Sequence, residues 1–413
     1  MNASTGRARL AIGLTTLALA ALSGASSARA CVVGSGTSAS CTEAALDTCL
    51  PGGGSFDGSV TFDCGGTWTI TITTTKTISA DTTIDGGGVI TISGGGTVQV
   101  FAVSSGVNFT VQKLTIANGK TAGNGGGIAN EGTTTLTDCT LSGNVSTADQ
   151  GGAVYNDGTV NLTNCTLYNN SAAFGGGLFD EVGSTATLAN CTLNGNTVSN
   201  FGGGIYNSGT ASLTNCTLYG NSATQGGGIL NGGAGDLTLT NCTLSNNSAN
   251  DFNGGGLDNV GATTLANTII ANSPTGGDCI TSGTLTDAGH NLIYDNVYNC
   301  GLSNGTNGDI VGSDPALGPL ANNSGPTQTM ALMVDSPALD AADNAICLAA
   351  PVNNLDQRGF VRITVKGPVC DIGAYELGAV PPVSAPALSI PAALLLGLLL
   401  ISAGFVLANR HRA

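Results

Sequence analysis

Apolar and polar residues alternate along most of the chain in short runs, and two phrases recur through its middle. One reads Leu-Thr-Asn-Cys-Thr-Leu, as at Leu162–Leu167, and the other reads Gly-Gly-Gly-Ile-Tyr-Asn, as at Gly202–Asn207. Cys165 and Leu167 are two residues apart, so both face one side of a strand. Leu162 lies three residues before Cys165, which requires a bend or bulge between them. The pattern predicts short strands joined by bends.

The repeat is about 26 residues long, and a unit of that length cannot bury its own apolar side. Successive units must therefore stack as parallel strands, roughly 4.8 Å apart, with like residues above one another. Parallel crossovers are right-handed. We therefore predict an all-β fold, a right-handed parallel β-helix (solenoid). Less regular first turns at 67–72, 77–84 and 98–103 bring the expected total to about nine turns, roughly 40 Å long.

Stacking predicts two inward ladders. The thiol ladder consists of Cys139, Cys165, Cys191, Cys216 and Cys242. The amide ladder consists of Asn130, Asn156, Asn207, Asn231 and Asn259, with Asp180 in the remaining place. Stacked amides satisfy one another's donors and acceptors. A linear row of thiols gives no tetrahedral closure, so we expect no metal there.

One outward position carries an aromatic ring in three consecutive turns: Tyr155, Phe179 and Tyr206. Exposed rings can stack on sugars. Stacked rings can equally well only stabilise the outer face of the sheet. These residues are the candidate binding site, and the second explanation is the simpler one.

The composition is unusual, with 64 Gly, 9% charged residues and a net charge of −15. An acidic surface repels nucleic acid and anionic lipid, so neither is an expected partner. Cell-surface glycans or envelope components remain the expected partners, and no cofactor is expected.

The two ends of the chain resemble export and anchoring signals. Residues 1–30 place Arg7 and Arg9 before an apolar run and end in Ala-Arg-Ala, which is typical of a secretory signal peptide. A lipid anchor on Cys31 is the alternative. Residues 391–408 form an apolar transmembrane or sorting segment, after a linker at 377–390 and before a basic tail at 409–413. The segment is either a permanent anchor or part of a sorting signal for a processing enzyme.

The cysteines outside the ladder number eight, an even count that suggests four disulfides in an exported protein. The pairings we favour are Cys31–Cys49, Cys41–Cys64, Cys279–Cys300 and Cys347–Cys370. An open β-helix also needs its ends covered. We expect an N-terminal cap at 31–64 with a short helix near Thr42–Asp47, repeats at 65–276, and a C-terminal block at 277–376 that closes the other end.

The C-terminal block resembles a known family. Its phrases, in order, are Gly277-Asp-Cys279, Gly289-His-Asn-Leu292, Asp314-Pro-Ala-Leu-Gly-Pro-Leu320, Gly325-Pro-Thr-Gln-Thr329, Ser336-Pro-Ala-Leu-Asp340, Asp356-Gln-Arg-Gly359 and Cys370-Asp-Ile-Gly-Ala-Tyr-Glu376. They resemble the bacterial "choice-of-anchor Q" β-helix proteins, and the repeats are similar to those of polymorphic outer-membrane proteins. The resemblance implies export and surface display but no particular reaction.

Two functions fit this sequence. The first is a non-enzymatic displayed rod for adhesion, glycan contact or envelope structure. The second is a carbohydrate-active enzyme, either a polysaccharide lyase or a glycoside hydrolase, since β-helices host such activities. Its best polar cluster is Asp356, Arg358, Asp371 and Glu376, for which a buried ion pair between Arg358 and Asp371 or Glu376 is the simpler explanation. His290 is expected to be structural. We therefore assign no catalytic residue.

Overall fold

The computed structural model describes residues 30–250, 253–362 and 369–381. It is a right-handed β-solenoid of about ten turns, one more than the sequence analysis expected. Almost all of residues 1–30, the apolar segment at 391–408 and the basic tail lie outside the described residues, as does most of the linker. Among the residues that are described, no helix is both long and apolar enough to cross a membrane.

The solenoid begins with a cap and irregular turns. Helix α1 spans Glu43–Cys49, and a 3-10 turn spans Ser38–Ser40. The strands up to residue 121 are β1 (Cys31–Val33), β2 (Ser59–Phe62), β3 (Trp68–Thr71), β4 (Lys76–Ile78), β5 (Thr82–Ser93), β6 (Phe101–Val103), β7 (Asn108–Ala117) and β8 (Lys120–Thr121). Leu46 and Cys49 of α1 are buried in the main core, so the helix packs against these first turns.

The regular turns follow the predicted period. Their strands are β9 (Ile128–Asn130), β10 (Thr133–Thr137), β11 (Thr140–Ser142), β12 (Val145–Ser146), β13 (Val154–Asn156), β14 (Thr159–Thr163), β15 (Thr166–Tyr168), β16 (Ser171–Phe174), β17 (Leu178–Asp180), β18 (Thr185–Ala189), β19 (Thr192–Asn194), β20 (Thr197–Phe201), β21 (Ile205–Asn207), β22 (Thr210–Thr214), β23 (Thr217–Tyr219), β24 (Ile229–Asn231), β25 (Asp236–Thr240), β26 (Thr243–Ser245), β27 (Leu257–Asn259), β28 (Ala262–Ala266) and β29 (Ile269–Ala271).

The last elements are β30 (Cys279–Thr281), β31 (Thr284–Asp287), β32 (Leu292–Ile293), a 3-10 turn (Thr306–Gly308), β33 (Ile310–Val311), β34 (Leu317–Ala321), β35 (Thr329–Leu332) and helix α2 (Asn344–Leu348).

Three parallel sheets form the walls of the solenoid. Sheet A has 20 strands, sheet B has nine and sheet C has four. Sheet A folds in each regular turn at the residue before the ladder cysteine, where Asn164 has a φ of 55°. This bend is the one that the spacing of Leu162 and Cys165 predicts, and Asn tolerates such a left-handed conformation. Gly151, with a φ of 70°, makes the corner that leads into sheet B.

Both inward ladders are present in the structure. The five ladder cysteines are buried and unpaired, and the Cys165 thiol donates to carbonyl oxygens at 3.3 and 3.5 Å. Burial raises the pKa of the Cys191 thiol well above its usual value. In the amide ladder the Asn130 Nδ2 donates to the Asn156 Oδ1 at 2.7 Å, and the Asn207 Nδ2 donates to the Asn231 Oδ1 at 2.8 Å.

A second amide ladder escaped the sequence analysis. It consists of Asn144, Asn170, Asn196, Asn221 and Asn247, each fully buried, at the corner between sheets A and C. The Asn170 Nδ2 donates to the Asn196 Oδ1 at 2.9 Å and to the Leu141 carbonyl of the previous turn at 3.0 Å. This ladder could have been found, because an Asn follows each ladder cysteine after five residues.

The structure contains the four disulfides with the connectivity favoured from the sequence: Cys31–Cys49, Cys41–Cys64, Cys279–Cys300 and Cys347–Cys370. Two of them close the N-terminal cap. The third ties the last turns together, and the fourth lies within the C-terminal block.

The C-terminal boundary differs from the expected one. Strands β30 to β33 still pair in parallel with the turns before them, so the solenoid continues to Val311. Residues 313–362 and 369–381, which we call the flank block, instead run back along the outer side of sheet A. The Thr327 hydroxyl donates to the Asn190 carbonyl at 2.9 Å, and the Asn267 Nδ2 donates to the Asp343 carbonyl at 3.2 Å. The 277–376 segment therefore covers a side of the rod as well as its end.

Candidate functional site

The aromatic residues of sheet B lie in register, as the repeat predicts. Tyr155 pairs with Phe179, and Phe179 pairs with Tyr206, in successive strands. The ring centroids of Tyr155 and Phe179 are 5.9 Å apart at 20°, and those of Phe179 and Tyr206 are 4.8 Å apart at 4°. The three rings form a face-to-face stack along the axis of the rod, which we call the aromatic ladder.

Face-to-face stacking decides which ring surfaces a ligand could reach. Phe179 is only 4% exposed because both of its faces are covered by neighbouring rings. The expectation of an exposed stripe is therefore wrong for Phe179, which stabilises the sheet. In the preceding turns the same position is held by Ala129 and Ala102, which are too small to cover a ring. One face of Tyr155 is thus the open end of the ladder.

Two further rings support the ladder from sheet C. Phe174 and Phe201 lie 5.5 Å apart, and Phe174 also meets Tyr206 edge-on at 6.2 Å. Sequence reasoning missed both residues. Each directly precedes the Gly-rich phrase of its turn, so their shared position was available as a signal. The extra rings fix the stack at the Tyr206 end and leave the Tyr155 end free.

Carboxylates lie near the hydroxyl of Tyr155. The Tyr155 hydroxyl lies 3.4 Å from the Glu181 Oε2. Burial, and then the charges of Glu181, Asp157 and Asp149, raise the pKa of Tyr155 to about 12. The hydroxyl therefore keeps its proton at physiological pH. The arrangement combines an apolar ring face with polar groups at its edge, a combination that suits a sugar ring.

The polar cluster of the flank block is buried. Asp356, Asp371 and Glu376 are at most 4% exposed, and Arg362 is 2% exposed. Burial, and then the Asp371 carboxylate, raise the pKa of Glu376 to about 8. Three carboxyls and two guanidinium groups thus share one enclosed site. A polysaccharide could not reach these groups without displacing the block.

The ion pairs differ from those expected. Arg358 pairs with Asp356 at 2.6 Å, not with Asp371 or Glu376, and its guanidinium also lies over the Tyr375 ring, 3.8 Å from the centroid. Arg362, which the sequence analysis did not single out, is the partner of Glu376 at 3.4 Å. The Arg362 Nη2 also donates to the Asn215 Oδ1 of the solenoid at 3.0 Å. The cluster therefore joins the flank block to the rod.

His290 and Lys76 each link separate parts of the fold. The His290 Nδ1 lies 2.8 Å from the Ala341 carbonyl, which links the last turns to the flank block. The buried Lys76 ammonium contacts Glu43 at 2.6 Å and Asp47 at 2.7 Å, which fixes helix α1. Among the described residues, no group of three or more His, Cys, Asp and Glu side chains could hold a metal ion.

Two acidic residues face the cleft near the end of the solenoid. Asp278 and Asp295 both line it, together with Ser273 and Tyr294. Both oxygens of Asp278 accept backbone amides, from Ser273 at 2.9 Å and from Asp295 at 2.8 Å. Asp295 accepts the amide of Val297 at 2.8 Å. These hydrogen bonds shape the loop that lines the cleft.

Comparison with known proteins supports the same class of fold. A family model described as a right handed beta helix region matches residues 71–223. Those residues include part of the irregular early turns and the regular turns up to β23. With the observed sheets, the match defines a right-handed parallel β-helix repeat protein. No curated protein matches this chain.

Proposed function

We propose that this protein is an exported, surface-displayed β-helix that is not an enzyme and that contacts glycans through the open face of Tyr155. The observation that carries the proposal is the aromatic ladder, which ends on the small side chains of Ala129 and Ala102. The resemblance to choice-of-anchor Q proteins supports display. In this proposal the C-terminal apolar segment attaches the rod to the membrane or is removed by a sorting enzyme.

The chemistry of the rod supports a passive role. Many of its buried polar residues hold turns together, as the two amide ladders show, and the best charged cluster of the chain is buried within the flank block. The four disulfides suit an oxidising environment outside the cytoplasm. A stiff rod of this kind holds a binding face at a fixed distance from whatever anchors it.

Glycan binding by the full chain tests the proposal, with immobilised polysaccharides and a glycan array as the ligands. Tyr155→Ala should weaken binding at least tenfold, because it removes the ring whose outer face lies next to Ala129 at the end of the ladder. Tyr294→Ala is the matched control, since Tyr294 is 42% exposed but stands far from the ladder in the sequence and outside its register. Equal binding by the wild type and Tyr155→Ala would refute the role of this ring.

A carbohydrate-active enzyme is the second candidate, because Asp258 occupies the same outward position of sheet B three turns beyond Phe179. It is 7% exposed, and burial raises its pKa to about 6. A carboxyl with such a pKa can act as a general acid near neutral pH. Product release that is lost in Asp258→Asn would favour this function over the first.

A further inference from the structure

The amide ladder has one defect, at Asp180. In each Asn rung except the last, Asn259, the Nδ2 donates both to the Oδ1 of the next rung and to a backbone carbonyl of the next turn; the Asn259 Nδ2 donates to the Thr281 hydroxyl and the Thr284 carbonyl. Asn156, for example, donates to the Asp180 Oδ1 at 2.7 Å and to the Thr185 carbonyl at 3.1 Å. Asp180 has an oxygen, Oδ2, where each Asn rung has the Nδ2 nitrogen. Asn207 is the residue in register with Asp180 in the next turn. An ionised Asp180 therefore has no hydrogen-bond donor for Asn207.

The two atoms at this defect are both buried and both lack a partner among the described residues: the Asp180 Oδ2 and the Asn207 Oδ1. Two acceptor oxygens thus occupy the place where every other rung has a donor and an acceptor. Asp180 and Asn207 are completely buried, so solvent does not supply the missing hydrogen bond. A buried acceptor pair without a proton between its members is costly.

Turning the Asn207 amide over does not repair the ladder. The Asn207 Nδ2 already donates to the Asn231 Oδ1 at 2.8 Å and to the Asp236 carbonyl at 3.3 Å. A reversed amide would place its oxygen against both of those acceptors. The backbone carbonyls therefore fix the direction of the ladder, and the defect stays at Asp180.

We propose that Asp180 is a proton-binding site, and that its protonated Oδ2 donates to the Asn207 Oδ1 and completes the ladder. Burial is the largest cause that raises the pKa of Asp180, and the charge of Glu181 adds to it. Hydrogen bonds from Ser184 and Asn156 lower the pKa, and the net value is about 6. The Ser184 hydroxyl faces the other oxygen, Oδ1, at 2.6 Å. Glu181 is the titratable neighbour, and it disfavours a second negative charge.

The sign of the pH effect follows from this raised pKa. The folded state binds the proton more tightly than the unfolded chain, whose Asp has an ordinary pKa of 3.8. The stabilisation is complete below that value and is lost as the pH rises through about 6. Strand β17 also carries Phe179, so the turn that loosens at high pH holds the centre of the aromatic ladder.

The test compares thermal unfolding of the full chain at pH 4.5 and pH 8 for wild type, Asp180→Asn and Asp157→Asn. An amide at 180 restores the donor at every pH. We expect Asp180→Asn to raise the midpoint by roughly 5 °C at pH 8 and by much less at pH 4.5. Asp157, exposed and one residue beyond the ladder, is the control and should show no such pH-dependent difference.

A second measurement does not depend on a variant. The ¹³C signal of the Asp180 carboxyl in the wild type should titrate near pH 6. Titration near pH 4, or an Asp180→Asn midpoint shift that is equal at both pH values, would overturn the proposal. A shift that follows the concentration of a metal ion or a chelator, rather than pH, would overturn it as well, because a cation would then occupy the place of the proton.

Discussion

Gln357 is the side chain that fastens the flank block to the solenoid, and replacing it by Leu tests this docking. Gln357 is completely buried. Its Nε2 lies 2.9 Å from the Thr192 hydroxyl and 3.2 Å from the Cys191 carbonyl, and its Oε1 accepts from the Thr217 hydroxyl at 2.6 Å. One amide thus joins the block to two successive turns.

The expected cost comes from these bonds. The side-chain amide has two N–H donors, and its oxygen accepts from Thr217, so Leu removes about three hydrogen bonds. At about 1 kcal/mol each, their loss should weaken docking of the flank block by about 3 kcal/mol. The volume of the side chain is nearly conserved, so the loss is polar and not a cavity. A change of this size corresponds to a roughly 100-fold increase in the population of the undocked block.

Hydrogen exchange measured by mass spectrometry reads this opening locally. Amides of 313–362 should exchange roughly 100-fold faster in Gln357→Leu, while those of the solenoid core, such as β14 and β18, stay protected. Gln225→Leu is the control, because the Gln225 Nε2 makes a single long bond of 3.3 Å to Asn253. Unchanged exchange in the block, or equal acceleration in β14, would refute the docking role of Gln357.

Three further predictions follow from the ladders and the N-terminal cap. The five ladder thiols should react with a thiol reagent only after unfolding, because they are buried and burial raises the pKa of thiols such as Cys191. Mass spectrometry counts the reagent molecules that are attached, and attachment to the ladder cysteines of the folded protein would contradict this prediction. Asn196→Leu should lower the free energy of unfolding by about 3 kcal/mol, as measured with denaturant. The reason is that Asn196 donates to the Leu167 carbonyl and the Asn221 Oδ1 and accepts from the Asn170 backbone amide. A loss below about 0.5 kcal/mol would be inconsistent with the second amide ladder. Burial tends to raise the pKa of Glu43, but its bonds to Lys76, Thr73 and Thr74 lower it to about 2, so the cap should be stable above about pH 4.5 and weaken as the pH falls toward 2. Lys76→Met should reduce this acid dependence without removing it, because the bonds from Thr73 and Thr74 remain; exchange of the α1 amides with the same acid dependence as in the wild type would contradict this.

The sequence was sufficient for the fold because the repeat places like side chains at a constant interval. Cys165 and Leu167 set the strand phase, and the positive φ of Asn164 makes the bend that the three-residue spacing of Leu162 and Cys165 required. Spacing alone did not decide the interleaved N-terminal disulfides, Cys31–Cys49 and Cys41–Cys64, whereas the C-terminal disulfides each join two consecutive cysteines of the chain. Local information was enough for the strand phase and the bend because each turn contacts mainly its neighbours.

The second amide ladder could have been read from the repeat, but other features that escaped prediction depend on contacts between distant parts of the chain. The flank block reaches back from Gln357 to Cys191, and no local pattern indicates where a non-repeating segment will lie. The partner of Glu376 was misassigned for the same reason, because Arg358 and Arg362 are close in sequence and only packing decides between them. The burial of Phe179 required the ring orientations, which the register alone does not give.

The most direct test of the central claim measures two quantities in one assay: the glycan that the protein binds, and the products that it releases from that glycan. The full chain would be incubated with pectin, alginate and mixed neutral glycans, and the mixture analysed for new reducing ends and unsaturated sugars. The account predicts Tyr155-dependent retention of a glycan with no product above the no-protein control. Steady product formation by the wild type that is lost on substitution of Asp258, Asp356 or Asp371 would contradict it.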